Sequence, residues 1–405
     1  MIESLMDLST HIKNEGGYLY TFYGKNNKII SECIKAFDIN IVISNMDITP
    51  YAKQRDEQIA KICDENNVKF HLIHDYYLNP IDTIKTGANK SYVKFTPYYL
   101  TSLKHKVQKP LKKTKLNLVI NKNNIKTINK INSKISLQQA MTKFTKNNPD
   151  ILVNGGRKQA LLLLKNAKKT LSKYEATHNK LDYETSHLSA SIKFGCISIR
   201  EVYYELLSNK SLIRQVYWRD FFANLLWNNP NLLGSALIEK YNKIKWHSNK
   251  TWFNKWCNGE TGFPIIDAGM RQLNTTGYMH NRARLLVSSF LIKTLLIDWQ
   301  DGEKYFAIKL TDYDPATNNA SWQGQAGIGG DGQPYFRIYN PWRQAEINDP
   351  ECVYIKKWLP ELNELPNKVI FKWYDEWINY KHINYPKPIC IFEEQREKAL
   401  KMYKV

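Results

Sequence analysis

Charged and amide side chains lie within apolar helical patterns in the second half of the chain. Arg282 and Arg284 lie in MHNRARLLVSSFL (279–291), and Asp312 and Asp314 lie in KLTDYDPATNN (309–319), with Asn318 just beyond them. Buried charges are costly unless they are paired, so one interpretation is an ion pair that holds two helices together. The other is a flavin pocket, because a guanidinium stabilises negative charge on a reduced flavin and a neutral amide bonds to its polar edge.

Two loop-like motifs also have a chemical and a structural interpretation. The glycine-rich run at 324–332 lacks the strand before it and the helix after it that a dinucleotide fingerprint needs, so we expect a bent loop that lines a pocket. The run TSHLS at 185–189 precedes a helical pattern. Its hydroxyl and N–H groups suit either an anion site or an ordinary helix cap.

The bulk composition limits the class of protein. The 405 residues carry 58 Lys and Arg against 38 Asp and Glu, and the net charge of +20 favours a polyanionic partner, nucleic acid first. A compositional bias of the genome would produce the same excess. The six cysteines form no CxxC pair, which predicts no metal site. No apolar run reaches the length of a bilayer span, so we expect a soluble intracellular protein, cytoplasmic or nuclear.

The first hundred residues alternate between strand and helix patterns. Short β-rich runs lie at 18–24, 39–46 and 68–75, with helical patterns near 27–37 and 53–66. Strands that alternate with helices predict a parallel sheet. The sequence therefore predicts a Rossmann-like α/β unit at the front of the chain.

Two changes of pattern divide the rest of the chain. The Lys- and Asn-rich stretch 106–149 predicts a solvated connection, with a DNA-contacting arm as the alternative. From 150 to 405 apolar residues recur at helical spacing almost throughout. The predicted fold class is thus α/β plus all-α, with an α/β domain at 1–105, a linker at 106–149 and an all-helical domain at 150–405.

Several segments in this order resemble the DNA photolyase/cryptochrome family, and in particular its class I-type pyrimidine-dimer photolyases. They are TSHLSASIKFGCISIREVY (185–203), VYWRDFF (216–222), WCNGETGFPIIDAGMRQLNTTGYMHNRARLLVSSFLIKTLLIDWQDGEKYF (256–306), DYDPATNNASWQ (312–323) and PYFRIYNP (334–341). DITPYAKQRDEQI (47–59) and FHLIHDYYL (70–78) also look like the family's α/β domain. The resemblance covers nearly the whole chain.

The resemblance implies one FAD per chain, held non-covalently in the helical domain. The positions that match its phosphate and ribose contacts are Tyr174, Thr185, Ser186, His187, Leu188 and Ser189. Those that match the surroundings of the isoalloxazine ring are Arg219, Asn281, Arg284, Asp312, Asp314 and Asn318. Asn318 matches the residue that faces N5, and Trp322, Trp299 and Trp246 match an electron chain from the flavin to the surface. Gln215, Trp218, Arg282 and Gln344 match contacts with the lesion and its DNA.

The resemblance also implies an activity, light-driven electron transfer to a flipped cyclobutane pyrimidine dimer. The chain departs from the family pattern at Gly324, where a second lesion-facing tryptophan is usual, at Gln215, where glutamate is usual, and at His187, where arginine is common. Family members also begin roughly sixty residues before the helix that matches the start of this chain. Two alternatives therefore stay open, a cryptochrome-like blue-light photoreceptor without repair activity and a degraded, inactive remnant.

The same departures shape what we expect of its partners. We expect DNA that contains pyrimidine dimers as the substrate, no membrane and a monomer. A second chain that supplies the missing N-terminal segment is an alternative. Because the antenna of this family lies against that segment, we do not expect a folate or deazaflavin antenna.

Overall fold

The computed structural model describes residues 1–112, 114, 117–118, 128, 131 and 133–405. Within these residues the chain forms two strands, β1 (Ile41–Asn45) and β2 (Lys69–Ile73), and a series of α-helices joined by short 3-10 turns. The helices are α1 (Ile2–Asn14), α2 (Asn26–Ala36), α3 (Pro50–Glu65), α4 (Phe95–Ser102), α5 (Leu137–Phe144), α6 (Arg157–Thr170), α7 (Tyr174–Thr177), α8 (Ser189–Lys193), α9 (Ile199–Glu205), α10 (Lys210–Asn228), α11 (Lys250–Asn258), α12 (Pro264–Thr276), α13 (Asn281–Lys293), α14 (Trp299–Lys309), α15 (Pro315–Ala326), α16 (Pro341–Asn348), α17 (Val353–Trp358), α18 (Asn367–Phe371), α19 (Trp373–Glu376) and α20 (Phe392–Met402).

The α/β part is a single βαβ unit. Helix α3 crosses from β1 to β2, which pair in parallel from Ile41 opposite Lys69 to Asn45 opposite Ile73. Thr49 caps α3 by accepting a hydrogen bond from the Ala52 N–H, and Pro50 occupies the first helical position, where its missing N–H is not needed. One face of the sheet packs on α2 and α3 around a small apolar cluster. The predicted fold class, α/β plus all-helical, is confirmed.

The predicted strand at 18–24 is not part of this sheet. Its backbone pairs with the segment around 133–135 through one antiparallel bridge, Phe22 opposite Lys134. The Tyr23 N–H donates to the Ser133 oxygen and the Ile135 N–H donates to the Thr21 oxygen, at 2.8 and 3.0 Å. Because these bonds go to the connecting segment, the run has its β partner outside the β1–β2 sheet.

The predicted linker is only partly described. Residues 113, 115, 116, 119–127, 129, 130 and 132 of it lie outside the described residues. Within the rest, Ile128 and Ile131 are buried, and α5 is closed by a capping box between Ser136 and Gln139. Helix α5 packs against α1. The described part of this stretch therefore has folded structure of its own.

The helical part holds the main core. Helix α13 packs against α12, α14 and α15, and α10 packs against α15 and α4. Two glycines permit close approach of these helices. A Cβ at Gly269 would lie 2.9 Å from the Val287 side chain, and one at Gly302 would overlap the Trp322 ring. No helix among the described residues is long and apolar enough to span a bilayer.

Helix α10 also connects the two parts. Asp220 is fully buried, and its Oδ2 accepts hydrogen bonds from the backbone N–H groups of Leu78 and Asn79, at 2.9 and 3.3 Å. One turn later the Asn224 Oδ1 accepts from the Asp82 N–H at 2.9 Å. Side chains of the helical part thus hold the loop that leaves β2.

Candidate functional site

A cavity of about 320 Å³ lies where α10, α13 and α15 meet the loop at 185–189. It brings together residues that are far apart in the chain and that the sequence analysis selected. The selected residues that line it are Tyr174, Thr185, Ser186, His187, Leu188, Ser189, Gln215, Arg219, Asn281, Arg284, Asp312, Asp314, Asn318 and Trp322. Every residue predicted to contact the flavin is in this set.

The Arg284–Asp312 pair forms one charged part of the cavity wall. The Arg284 Nη2 donates to the Asp312 Oδ2 at 2.9 Å, and its Nε donates to the Met279 backbone oxygen at 2.8 Å. Burial disfavours the guanidinium charge, yet the neighbouring carboxylate holds the pKa of Arg284 above its ordinary value. The other oxygen of Asp312, Oδ1, is buried and has no hydrogen-bond partner among the described residues. An acceptor of this kind is suited to a donor on a ligand.

A second charged group lies at the start of α15. The Lys193 Nζ donates to the Asp314 Oδ2 at 3.1 Å, while the Asp314 Oδ1 caps α15 by accepting from the Thr317 N–H. Burial alone would raise the pKa of Asp314, but Lys193 and Arg219 together lower it. This carboxylate therefore stays charged beside the cavity.

Arg219 joins the cavity to the loop after β2. Its Nη1 donates to the Tyr76 backbone oxygen at 2.8 Å, and its guanidinium lies 4.0 Å from the centre of the Tyr76 ring. The Nη2 atom is buried without a hydrogen-bond partner among the described residues. This buried donor is suited to an acceptor on a ligand, just as the unpaired Asp312 oxygen is suited to a donor.

Asn318 contributes a neutral amide. Its Nδ2 donates to the Glu303 backbone oxygen at 3.1 Å, and the residue is buried on the cavity wall. Because the nitrogen is engaged by α14, the carbonyl oxygen is the part of the amide that can accept a hydrogen bond from a ligand.

The loop at 185–189 lines the cavity with hydroxyl groups. The Thr185 and Tyr278 hydroxyls lie 2.8 Å apart, and the Ser186 hydroxyl accepts from the Leu188 N–H at 3.4 Å. His187 has φ of 49°, in the left-handed region, and its Nε2 lies 3.4 Å from the Glu184 carboxylate. Burial lowers the pKa of His187 although Glu184 opposes this. Hydroxyl and backbone donors around such a turn are suited to an anionic group.

The three selected tryptophans belong to one apolar core. Trp322 and Trp299 are buried in it, and Trp246 packs against it half-buried. Trp322 lines the cavity and touches α14 at Gly302, one turn after Trp299. The residue after Trp246, His247, donates its N–H to the Leu296 oxygen at 2.8 Å, just ahead of α14. The start of α14 is therefore near both of the other tryptophans.

Three of the residues selected as DNA contacts are missing from the described lining of the cavity. They are Trp218, Arg282 and Gln344. The Trp218 ring is stacked on Phe95, with ring centres 3.7 Å apart and planes 7° from parallel. Arg282 donates through its Nη2 to the Asn179 side-chain oxygen, and Gln344 accepts from the Asn348 amide.

Sequence reasoning missed the supporting residues. Lys193, Tyr278 and Tyr76 each contact a selected residue that lies far away in the chain. Asp220 lies next to the selected Arg219, but the backbone group of Leu78 that it binds is 142 positions earlier. A lysine at the end of a short helix and a tyrosine before MHNR carry no distinguishing spacing. No local signal could have found them.

A helical domain built around this cavity and preceded by a small parallel α/β unit defines the photolyase/cryptochrome class of protein. Two family models match the chain, the FAD binding domain of DNA photolyase at residues 212–405 and DNA photolyase at residues 1–115. A deoxyribodipyrimidine photo-lyase of Alkalihalophilus pseudofirmus is 34% identical, over 99% of this chain and 86% of that protein.

Solved structures agree. An archaeal photolyase from Sulfolobus tokodaii superposes with a TM-score of 0.87 at 35% identity, covering all of this chain and 87% of that one. A bacterial class III photolyase from Agrobacterium tumefaciens has a TM-score of 0.91 at 29% identity, covering 99% and 86%. The chain belongs to the DNA photolyase/cryptochrome family.

Proposed function

We propose that the chain binds one FAD non-covalently and repairs cyclobutane pyrimidine dimers in DNA with light, as a class I-type deoxyribodipyrimidine photo-lyase. One observation carries the proposal. The twelve residues selected for flavin contact come from distant segments and all line a single cavity. Relatives named deoxyribodipyrimidine photo-lyase, such as that of Alkalihalophilus pseudofirmus, support the activity.

The residues of the cavity fit FAD. Its volume of about 320 Å³ is in the range of ligand pockets. The unpaired Arg219 nitrogen and Asp312 oxygen provide a buried donor and a buried acceptor for the polar atoms of such a ligand. Bound FAD would supply the absorption of light and the transferable electron.

Each wall then has a role in binding. Arg284 would provide positive charge for a bound flavin, and the Asn318 carbonyl could accept a hydrogen bond from it without adding charge. The hydroxyls of Thr185 and Ser186 and the backbone donors of their loop would hold the phosphates. Trp246 is half-buried, Trp299 is buried and Trp322 lines the cavity, so an electron from the surface would pass along them in that order to reach the cavity.

DNA is the substrate in this proposal. The net charge of +20 attracts the phosphate backbone, with Gln215, Trp218, Arg282 and Gln344 as the contacts nearest the lesion.

We propose that a monomer acts, with an α/β domain at 1–105, a linker at 106–149 and the flavin domain at 150–405. The archaeal relative holds two FAD molecules, one implicated in light harvesting. For this chain we propose a single FAD without a folate or deazaflavin antenna.

A cryptochrome-like photoreceptor is the second candidate. It is favoured by Gly324, at a position where a Cβ would meet no atom of the described residues within 4 Å, and by Gln215 in place of glutamate. Both features weaken contact with a lesion and leave the flavin contacts unchanged. A degraded remnant would lose the flavin as well.

The test uses the purified full chain after chemical reduction. A thymine-dimer oligonucleotide is added, the sample is illuminated with blue and near-UV light, and loss of the dimer is followed by chromatography against a dark control. We expect light-dependent dimer loss, and an absorbance spectrum that reports about one flavin per chain. A flavin that photoreduces while the dimer stays intact would favour the photoreceptor. Protein without flavin would indicate a remnant.

A further inference from the structure

The positions expected to stack on a flipped lesion offer it little aromatic surface. Trp218 presses one ring face against Phe95, which is fully buried, and its edges contact Phe221 and Phe222. It is missing from the described lining of the cavity. The second position is Gly324, which has no side chain. Neither position therefore presents a ring face to the cavity.

Gly324 is itself missing from the described lining of the cavity, and the space beside it is open because of the residue type and not because of the backbone. Thr317, Ser321 and Gly324 follow one another at i, i+4 and i+7 on α15, so they share one face of the helix. All three are half-buried, and Thr317 and Ser321 line the cavity. Gly324 lacks a left-handed φ, and a Cβ there would meet no atom of the described residues within 4 Å. A larger residue would fit both the backbone and the space.

The aromatic rings that do line the cavity contact other side chains or lie away from Gly324, and Tyr174 among them lies against the His178 ring. Trp322 and Phe306 are buried edge to face, with ring centres 5.0 Å apart. Tyr278 contacts Thr185 and the His187 ring. Tyr313 precedes α15, whereas Gly324 lies nine residues into that helix, about 14 Å along its axis.

Weak stacking matters most for a lesion that must leave a duplex. Flipping a base pair out of a double helix has a free-energy cost that contacts in the enzyme must offset, and this cost is smallest for a base that is already in a single strand. Each stacking face contributes a factor of about 5 to 150 in binding. The excess of positive charge attracts the phosphates of each form whether or not it contains a dimer, so this attraction cancels when the same form is compared with and without the dimer.

We propose that the cavity selects pyrimidine dimers in single-stranded DNA over the same dimers in duplex DNA, and that Gly324 is the position that determines this selectivity. The inference rests on the proposed function, since it refines the substrate of that site. The selectivity is determined by the absence of an aromatic ring at Gly324, near the C-terminal end of α15.

The test is dark binding by the reduced, FAD-containing full chain, which needs no photochemistry. Fluorescence anisotropy gives Kd for four probes, a labelled oligonucleotide with or without one thymine dimer, each single-stranded or annealed. We expect the dimer to improve binding at least tenfold in the single strand and less than threefold in the duplex. Equal improvement in both forms would overturn the inference.

Variants locate the cause. Gly324→Trp restores a ring to the open wall, so we expect it to raise dimer-specific binding in the duplex by a factor of about 5 to 150. Ile308→Trp adds the same residue at a surface position that is 80% exposed, and we expect no change. Gly324→Phe replaces the tryptophan variant if that protein loses its flavin. Gly324 would not be the determinant if Ile308→Trp raised dimer-specific binding of the duplex by the same factor. The same holds if a folded Gly324→Trp or Gly324→Phe protein showed no increase.

The outcome is separable from the repair test. Selective binding to the single-stranded dimer without light-dependent repair would leave the inference standing and contradict the proposed function. Repair of both forms with equal efficiency would do the reverse. Dimer-independent binding in all four probes would overturn the inference, and the illumination test would still decide the proposed function.

Discussion

The βαβ unit and the helical part of the chain differ in how deeply their apolar residues are buried. In the sheet, Ile41, Ile43 and Ile73 share the face away from α2 and α3 and are 43%, 60% and 45% exposed. In α13, Val287 and Leu291 are completely buried between neighbouring helices. The candidate cavity is built by α10, α13 and α15, in the well-packed part. Dense packing restricts side-chain rotamers, so the groups that would meet a flavin are held in place before it binds.

The two parts are nevertheless coupled. The buried carboxylate of Asp220 and the amide of Asn224 hold the loop after β2, and Arg219 reaches the same loop through Tyr76. Because Arg219 also lines the cavity, the loop is part of the support of the candidate site. The site therefore depends on both parts.

The largest expected effect is the loss of Arg284. Arg284→Ala leaves the Asp312 carboxylate, 5% exposed, without its charged partner. Breaking a buried pair in this way costs about 3–5 kcal/mol, and the cavity also loses its positive charge. We expect a large loss of stability in chemical denaturation and protein purified without flavin.

The matched control is an exposed pair. Lys168 and Glu205 lie 2.8 Å apart with side chains 60% and 51% exposed, so Lys168→Ala should cost less than about 1 kcal/mol. Full flavin content in Arg284→Ala would show that the pair is only structural. Arg284→Lys, which keeps the charge, should recover part of the flavin.

Next in size is a cavity in the helical core. Leu291→Ala removes a completely buried side chain from α13, and such changes cost about 2–5 kcal/mol. Urea denaturation followed by circular dichroism gives the free energy of unfolding. A cost below about 1 kcal/mol would mean that the core of α13 is looser than its burial indicates.

A smaller effect depends on pH and involves the contact between the two parts. Burial raises the pKa of Asp220 to about 7, and Arg219 and the N–H groups of Asn79 and Leu78 oppose this only partly. The pKa in the unfolded chain is about 3.9, so between about pH 4 and pH 7 the folded protein holds a proton that the unfolded chain releases. Stability from this group therefore falls as pH rises through this range and is constant above it.

Asp220→Asn removes this titration. Between pH 5 and pH 8 we expect wild-type protein to lose more stability than the variant in parallel urea titrations. The raised pKa of Asp267, about 6, contributes equally to both proteins and cancels in the comparison. Parallel pH profiles would show that Asp220 is ionised throughout, held so by its N–H donors.

The sequence predicted those features that depend on neighbours in the chain. The helical spacing of apolar residues from 150 onward predicted the helical part of the chain, including α10 and α13. The run at 18–24 failed because strand propensity does not name the partner strand, which here belongs to the connecting segment. Trp218 could not be anticipated either, because Phe95, on which it stacks, is 123 positions earlier.

The candidate site shows the same division. Family motifs selected residues that line the cavity, while charge partners such as Lys193 for Asp314 became visible only in three dimensions. Spacing also could not tell whether Gly324 was required by the backbone. The structure answers this, since the position has neither a left-handed φ nor a close neighbour among the described residues.

The smallest expected effect concerns the open face of the sheet. Ile43→Ser changes a side chain that is 60% exposed, so we expect a change in stability within about 0.5 kcal/mol in the same urea titration. Its partner on the covered face, Val42→Ser, is the matched control and should cost more, because Val42 packs against the cluster under α2 and α3. If Ile43→Ser instead costs as much as Leu291→Ala, the exposed face must be covered in solution. The difference in burial between the two parts would then hold for the isolated chain only. The next experiment would look for a protein partner that binds the exposed face of the sheet.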